Sequence, residues 1–286
     1  MTFESIVKDI DSLPPLSNAA YIIQSMYLSG IENTNILRLV KVIESDAMLT
    51  ANILKMINAP YYGFQKKIAS VAQAVSLFGT KRIYALVMQY AVAENLKADT
   101  SIYGFEQSQF NELCHLQSAL ILQWYSRVEL RDAQFLTSLA LIMESGKLVI
   151  AKEVVASDYC GEFRKGYNEC KSIEEYEKSL INITSYEITA LLFRHWNLEP
   201  IYIDILEALD NQEKYDKLDV KAQTYVDEID VIRTAINTKD ILSDGAINEA
   251  AQKVMRMGQN AQIFKDVALR VRTAYLKSLD NSWYES

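Results

Sequence analysis

Histidine and cysteine are scarce in this chain. Its 286 residues hold two histidines, His115 and His195, and three cysteines, Cys114, Cys160 and Cys170. No two cysteines form a CxxC pair, so neither a zinc site nor a disulfide framework is expected, and an odd number of thiols suits a reducing cytoplasm. Glycine and proline are also rare, at nine and four, and there is neither a Gly-rich phosphate loop nor a GxSxG nucleophile turn. No apolar run approaches a membrane span, and Glu4, Lys8, Asp9 and Asp11 interrupt any signal-peptide core, so a cytoplasmic protein without a membrane partner is expected. Positive charge is in deficit: 29 Lys and Arg against 37 Asp and Glu give a net charge of −8. That balance argues against a nucleic-acid surface, which rests on clustered cations. The basic doublets of the first half, Lys66-Lys67 and Lys81-Arg82, read as a solvated loop and a solvated helix end.

What is abundant is apolar helix. Half of the residues are hydrophobic, strict apolar–polar alternation never persists, and the spacing predicts an all-α fold. The most apolar stretch, Ala133 to Lys152, reads as one central helix buried on most sides, broken in polarity only by Glu144 and Lys147. Gly146 is costly inside a helix, which predicts that another backbone packs closely against it. Ser17, Asn33 to Asn35, Ser45-Asp46 and Ser70 read as helix caps, Gly79 as a stop, and Ser172 and Thr184 as starts of capping boxes ending at Glu175 and Glu187. Leu113, Leu116, Ala119, Leu120 and Trp124 supply the core face of a helix over 110–127. Beyond Asn211, helices near 219–238, 245–257 and 260–279 each carry one apolar face. No repeat of fixed period interrupts this pattern.

Two resemblances follow from particular stretches. Leu-Ile-Met-Glu-Ser-Gly-Lys-Leu (141–148) resembles the Leu-Leu-His-Asp-Ile-Gly-Lys-Leu core of HD-type metal-dependent phosphohydrolases, with Met143 and Glu144 where that family has His and Asp. A longer ordered series is similar to the HDOD domain family: Leu-Pro-Pro-Leu (13–16), Ile-Glu-Ser-Asp-Ala-Met-Leu-Thr (43–50), Leu-Lys-Met-Ile-Asn-Ala (54–59), Tyr-Tyr-Gly (61–63), Ile-Ala-Ser-Val-Ala-Gln-Ala-Val (68–75) and Leu-Phe-Gly (77–79). The resemblance implies a multi-helical HD-like fold in one HDOD-type unit. An N-terminal helical half (1–105) would pack on a degenerate HD-like half (106–211), with a helical C-terminal extension (212–286) covering the latter.

Carried over by position, the resemblance puts His115 at the first metal-site histidine, Met143 and Glu144 at the His-Asp pair, Ser185 at a third histidine, and Asp210-Asn211 at a histidine pair. Methionine is a poor ligand for the hard metals of phosphate chemistry, so no metal and no cofactor are expected. His115 is expected to keep a ring nitrogen hydrogen-bonded in the core. His195 reads as a surface or capping residue, and the acids Glu174-Glu175 as helix-start charges. The leading reading is a non-enzymatic regulatory or scaffold protein of bacterial signal transduction with other signalling proteins as partners. A divergent phosphohydrolase and a nucleotide or nucleic-acid sensor are the alternatives. The candidate partner-binding loop holds Tyr61, Tyr62, Phe64, Lys66 and Lys67, a mixture of aromatic anchors and charges typical of interfaces.

Overall fold

The computed structural model describes residues 2–30, 35–64, 66–157 and 159–282, with side chains of the final helix through residue 279. Among these residues the fold is all helical. Its elements are α1 (Phe3–Asp11), α2 (Asn18–Leu28), α3 (Ile36–Glu44), α4 (Ala47–Ile57), α5 (Val71–Leu96), α6 (Gln107–Tyr125), α7 (Leu130–Ile142) and α8 (Ser145–Ala156). They continue as α9 (Cys160–Glu169), α10 (Ile173–Ile181), α11 (Ser185–His195), α12 (Pro200–Ala208), α13 (Gln212–Tyr215), α14 (Val220–Ala235), α15 (Asp244–Arg256) and α16 (Ala261–Ser282). Only an isolated antiparallel bridge, Ile236 to Ile241, lies outside this pattern.

Local chemistry sets most of the starts. Ser17, Asn35, Asp46 and Ser70 each accept a backbone N–H of the first turn, the bond that satisfies an otherwise orphaned donor. Asn33 lies outside the described residues. Thr184 and Glu187 form a reciprocal capping box, whereas Ser172 accepts from the Glu175 N–H and its hydroxyl donates to Glu174 instead. Gly79, at φ 77° and ψ 163°, kinks α5 into two helical pieces, a conformation that residues other than glycine rarely adopt.

The stretch 133–152 is not one helix. α7 ends at Ile142 and α8 begins at Ser145, because the Thr189 hydroxyl enters the backbone ladder. It accepts from the Gly146 N–H at 2.8 Å and donates to the Met143 carbonyl at 2.8 Å, replacing intrahelical bonds there. Gly146 does meet a second backbone: a Cβ placed on it would lie 1.9 Å from the Ser185 carbonyl oxygen. Glycine at this point lets α8 and α11 touch.

The N-terminal helices α2, α3 and α4 pack on α5, which also lies against α7 and α8. Trp196, at the end of α11, donates from Nε1 to the Pro14 carbonyl at 3.2 Å, and Gln24 donates to the Trp196 carbonyl at 2.6 Å. His195 Nε2 lies 3.2 Å from the Leu13 carbonyl, so the Leu13–Pro14 segment is held by both side chains. α16 packs on α6 and also on the short 3-10 turn Pro60–Tyr62.

Candidate functional site

The break between α7 and α8 turns Glu144 and Lys147 into the core, where each is 1% exposed. They form an ion pair, Lys147 Nζ to Glu144 Oε2, at 2.7 Å. The other oxygen, Oε1, accepts from Gln117 Nε2 at 2.8 Å and from the Tyr186 hydroxyl at 3.1 Å. Lys147 also donates to Ser185 Oγ at 3.0 Å and stands 4.7 Å from the centre of the Tyr186 ring. Burial opposes the ammonium, but Glu144, then Tyr186 and Glu177, outweigh it and hold Lys147 well above its ordinary value. The ammonium therefore stays charged in the core.

A second layer surrounds this pair. Glu177 accepts from the Ser185 backbone N–H at 2.7 Å and from the Tyr103 hydroxyl at 3.3 Å. Burial pushes its carboxyl up to about 7, against the pull of Lys147 and of the Ser185 N–H. The Arg233 guanidinium also lies over Tyr186, 5.1 Å from the ring centre. It binds Asp210 Oδ1 at 2.7 Å and Asp230 Oδ1 at 2.8 Å and donates to the Leu209 carbonyl at 3.1 Å. Lys253 also pairs with Asp230, at 2.6 Å.

Of the positions singled out in the sequence, Glu144 and Ser185 meet through Lys147, while Met143 is buried and contributes its carbonyl to Thr189. Asp210 belongs to the Arg233 cluster, and Asn211 caps α13 by accepting from the Lys214 N–H at 3.1 Å. His115 is turned away. Its Nδ1 is hydrogen-bonded to the Tyr62 hydroxyl at 3.1 Å, and burial, with Arg82 nearby, pulls its imidazole down to about 3. From α6 it is Gln117, two residues on and on the other face of the helix, that reaches Glu144.

Tyr61 and Tyr62 are core residues, 4% and 6% exposed, closed over by α16 and α6. They cannot serve as exposed partner contacts; Phe64, Lys66 and Lys67 of the same loop are exposed. Arg82 is likewise no solvated helix-end cation. It is buried, 4.2 Å from the Phe78 ring centre and 5.3 Å from that of Tyr62. Burial lowers its guanidinium to about 10. Lys147, Gln117, Arg233 and Arg82 were missed in the sequence as site or core residues, because a charged or amide side chain on a helix reads as solvated, and the contacts that bury these four include Ser185, Glu144, Asp210 and Tyr62 from other elements.

A bound metal does not fit here. Among the described residues no three His, Cys, Asp or Glu side chains lie close enough to share an ion. Met143, at the position of the adjacent histidine, offers only a buried neutral thioether.

The chain is all helical among its described residues, with α6, α8 and α11 supplying the side chains that meet at Glu144. The HDOD domain model matches residues 13–212, and the chain belongs to the HDOD family. It is similar to an HDOD domain protein from Geobacter sulfurreducens at 14% identity and TM-score 0.60, covering 98% of this chain and 94% of that one. It is also similar to a Shewanella amazonensis protein bearing the provisional name phosphohydrolase, at 15% identity and TM-score 0.66, over 94% and 97% of the two chains. A Marinobacter aquaeolei protein, provisionally named for signal transduction, matches at 20% identity and TM-score 0.67. That match covers 97% of this chain and 60% of the longer Marinobacter one. No curated protein sequence matches the chain. No helix among the described residues is long and apolar enough to cross a membrane.

Proposed function

We propose that this HDOD protein is a non-enzymatic regulator or scaffold of bacterial signal transduction, acting in the cytoplasm through contacts with other signalling proteins. The reading rests on one observation above all: Met143 and Ser185 stand at two positions where the resemblance to HD enzymes implies histidine ligands, and His115, at a third, is turned to the Tyr62 hydroxyl. HD hydrolases need a metal to generate hydroxide and neutralise phosphate charge. Here the carboxylate that remains, Glu144, has no imidazole beside it and is paired with Lys147. In this sense the HD-like site is degenerate. The signal-transduction name of the Marinobacter relative agrees with this reading.

The phosphohydrolase reading draws on the name of the Shewanella relative, but two histidines in the whole chain are too few for the ligand set of such an enzyme. Manganese or iron titrated calorimetrically into purified protein, followed by dialysis and metal analysis, tests the choice. Well below one equivalent should remain and no phosphodiester should be hydrolysed. One equivalent retained, with hydrolysis, would overturn the scaffold reading.

Within the proposed division into halves 1–105 and 106–211 and extension 212–286, the partner surface includes the exposed rim Phe64, Lys66 and Lys67. Tyr61 and Tyr62 support it from beneath. Rim charges tune association more than they tune folding. The charge reversals Lys66→Glu and Lys67→Glu should therefore leave thermal stability nearly unchanged while weakening capture of native partners. If the same partners are captured equally well at the same salt concentration, this loop is not the interface.

A further inference from the structure

Outside the HD-like site, a cysteine and a lysine from distant elements meet at the surface. Cys170 follows α9 and Lys239 lies in the turn between α14 and α15, 69 residues on in the chain, with Lys239 Nζ 3.3 Å from Cys170 Sγ. Lys239 is fixed over the sulfur from two other directions. It donates to the Cys170 carbonyl and stands 5.2 Å from the centre of the Tyr167 ring. Tyr167 is itself anchored through its hydroxyl to Thr238 Oγ1 at 2.8 Å. Lys239 is exposed and Cys170 partly so, and a small oxidant can reach the pair.

We propose that Cys170 and Lys239 form an oxidant-sensitive covalent link, with peroxides as the class of co-reactant. Hydrogen peroxide oxidises the Cys170 thiol by two electrons to a sulfenic acid and is reduced to water. Lys239 releases its ammonium proton to solvent, and the nitrogen lone pair attacks the sulfenic sulfur. The S–O bond breaks, the oxygen leaves as water, and an S–N sulfenamide remains. Reacting atoms about 3–3.5 Å apart are already in attack range, which distinguishes this pair from the other thiols. Cys114 is buried, with burial pushing its thiol up; the Cys160 and Cys170 thiols each donate to a carbonyl, of Val154 and Tyr167, and it is Cys170 that has a lysine amine beside its sulfur. The link would staple the turn between α9 and α10 to the turn between α14 and α15. One dithiol or two monothiol equivalents would reverse it, returning thiol and amine and leaving the reductant as its disulfide.

The test treats the full chain with hydrogen peroxide, then denatures, alkylates and maps tryptic peptides by mass. A linked pair holding Cys170 and Lys239, two hydrogens lighter than its reduced parts, is expected, with tryptic cleavage at Lys239 lost. Dithiothreitol should restore both peptides, and the urea midpoint should rise on oxidation and return on reduction. Lys239→Arg keeps the cation and removes the nucleophilic amine, so Cys170 should oxidise in that variant without any link. Progress of wild-type Cys170 to sulfinic acid without a linked peptide, as in Lys239→Arg, would overturn the proposal. So would a disulfide between Cys160 and Cys170 as the main product.

Discussion

Glu144 and Lys147 stand three residues apart on one turn, and burying both removes them from water at a cost that only mutual pairing and hydrogen bonds offset. Gln117, Tyr186 and Ser185 supply those bonds. Lys147→Met alone should leave an unpaired buried carboxylate and cost about 3–5 kcal/mol, the range for breaking a buried pair. Glu144→Gln combined with Lys147→Met should cost less than Lys147→Met alone, which urea unfolding of the set would show. A single-variant cost under about 1 kcal/mol would mean that water reaches the pair. His115 governs a different observable. Its folded value of about 3 lies below the ordinary 6.5, so its contribution to stability is complete above pH 6.5 and is lost as pH falls toward 3. Glu177 acts in the opposite sense: its value, raised from 4.5 to about 7, gives stability that is complete below pH 4.5 and lost as pH rises through 7. Glu228, raised to about 8, adds to that second trend. His115→Gln should remove the compensating histidine contribution. Between pH 4.5 and 6.5 its stability should then fall more steeply than the wild type's, by about 1.4 kcal/mol per pH unit. Parallel pH profiles of the two proteins would show that His115 is not held neutral by the fold.

Where α8 meets α11, the approach of two helices depends on the missing side chain of Gly146. A Cβ there would lie 1.9 Å from the Ser185 carbonyl oxygen and 2.9 Å from the Thr189 nitrogen, backbone atoms that cannot swing aside. Gly146→Ala should therefore separate the helices and cost about 3 kcal/mol, the upper end for overpacking, even though alanine favours helix more than glycine does. A variant as stable as the wild type in thermal unfolding would show that the contact yields. The close approach at Gly146 was legible in the sequence because glycine is rare and costly in such an apolar stretch. Helix starts were legible for a similar local reason: Ser17, Asp46 and Ser70 carry their capping atoms within three residues of the groups they cap. The end of α7 was not, since it depends on Thr189, 43 residues beyond Gly146, and no glycine or proline marks Met143. Placement around the site failed for the same reason. The alignment put His115 in it, but helical rotation turns His115 to Tyr62 and brings Gln117 to Glu144.

The chain buries one continuous set of apolar side chains from Ile6 to Val271, and this bears on how its three sequence regions behave. Phe264, Val267, Ala268 and Val271 of α16 are fully buried, with the Phe264 ring meeting Trp124 of α6 edge-on at 5.0 Å. The same helix covers the Pro60–Tyr62 turn, so α16 closes on elements that lie on both sides of the proposed boundary near residue 105. Burying one phenylalanine and two valines contributes roughly 5–8 kcal/mol, comparable with the whole stability of a typical domain at about 5–15 kcal/mol. A chain ending at Gln259 would lose that contribution and expose Trp124 and Tyr61 together. It should show no sharp unfolding transition and should lose the near-ultraviolet circular dichroism of packed aromatic side chains. For the intact protein, tryptophan fluorescence and far-ultraviolet circular dichroism should trace one coincident urea transition, because the Leu13–Pro14 segment, α11, α6 and α16 share contacts across the proposed boundaries. Two separated transitions, or a shortened chain that keeps its near-ultraviolet signal, would mean that the regions fold independently and that α16 only rests on a core already complete.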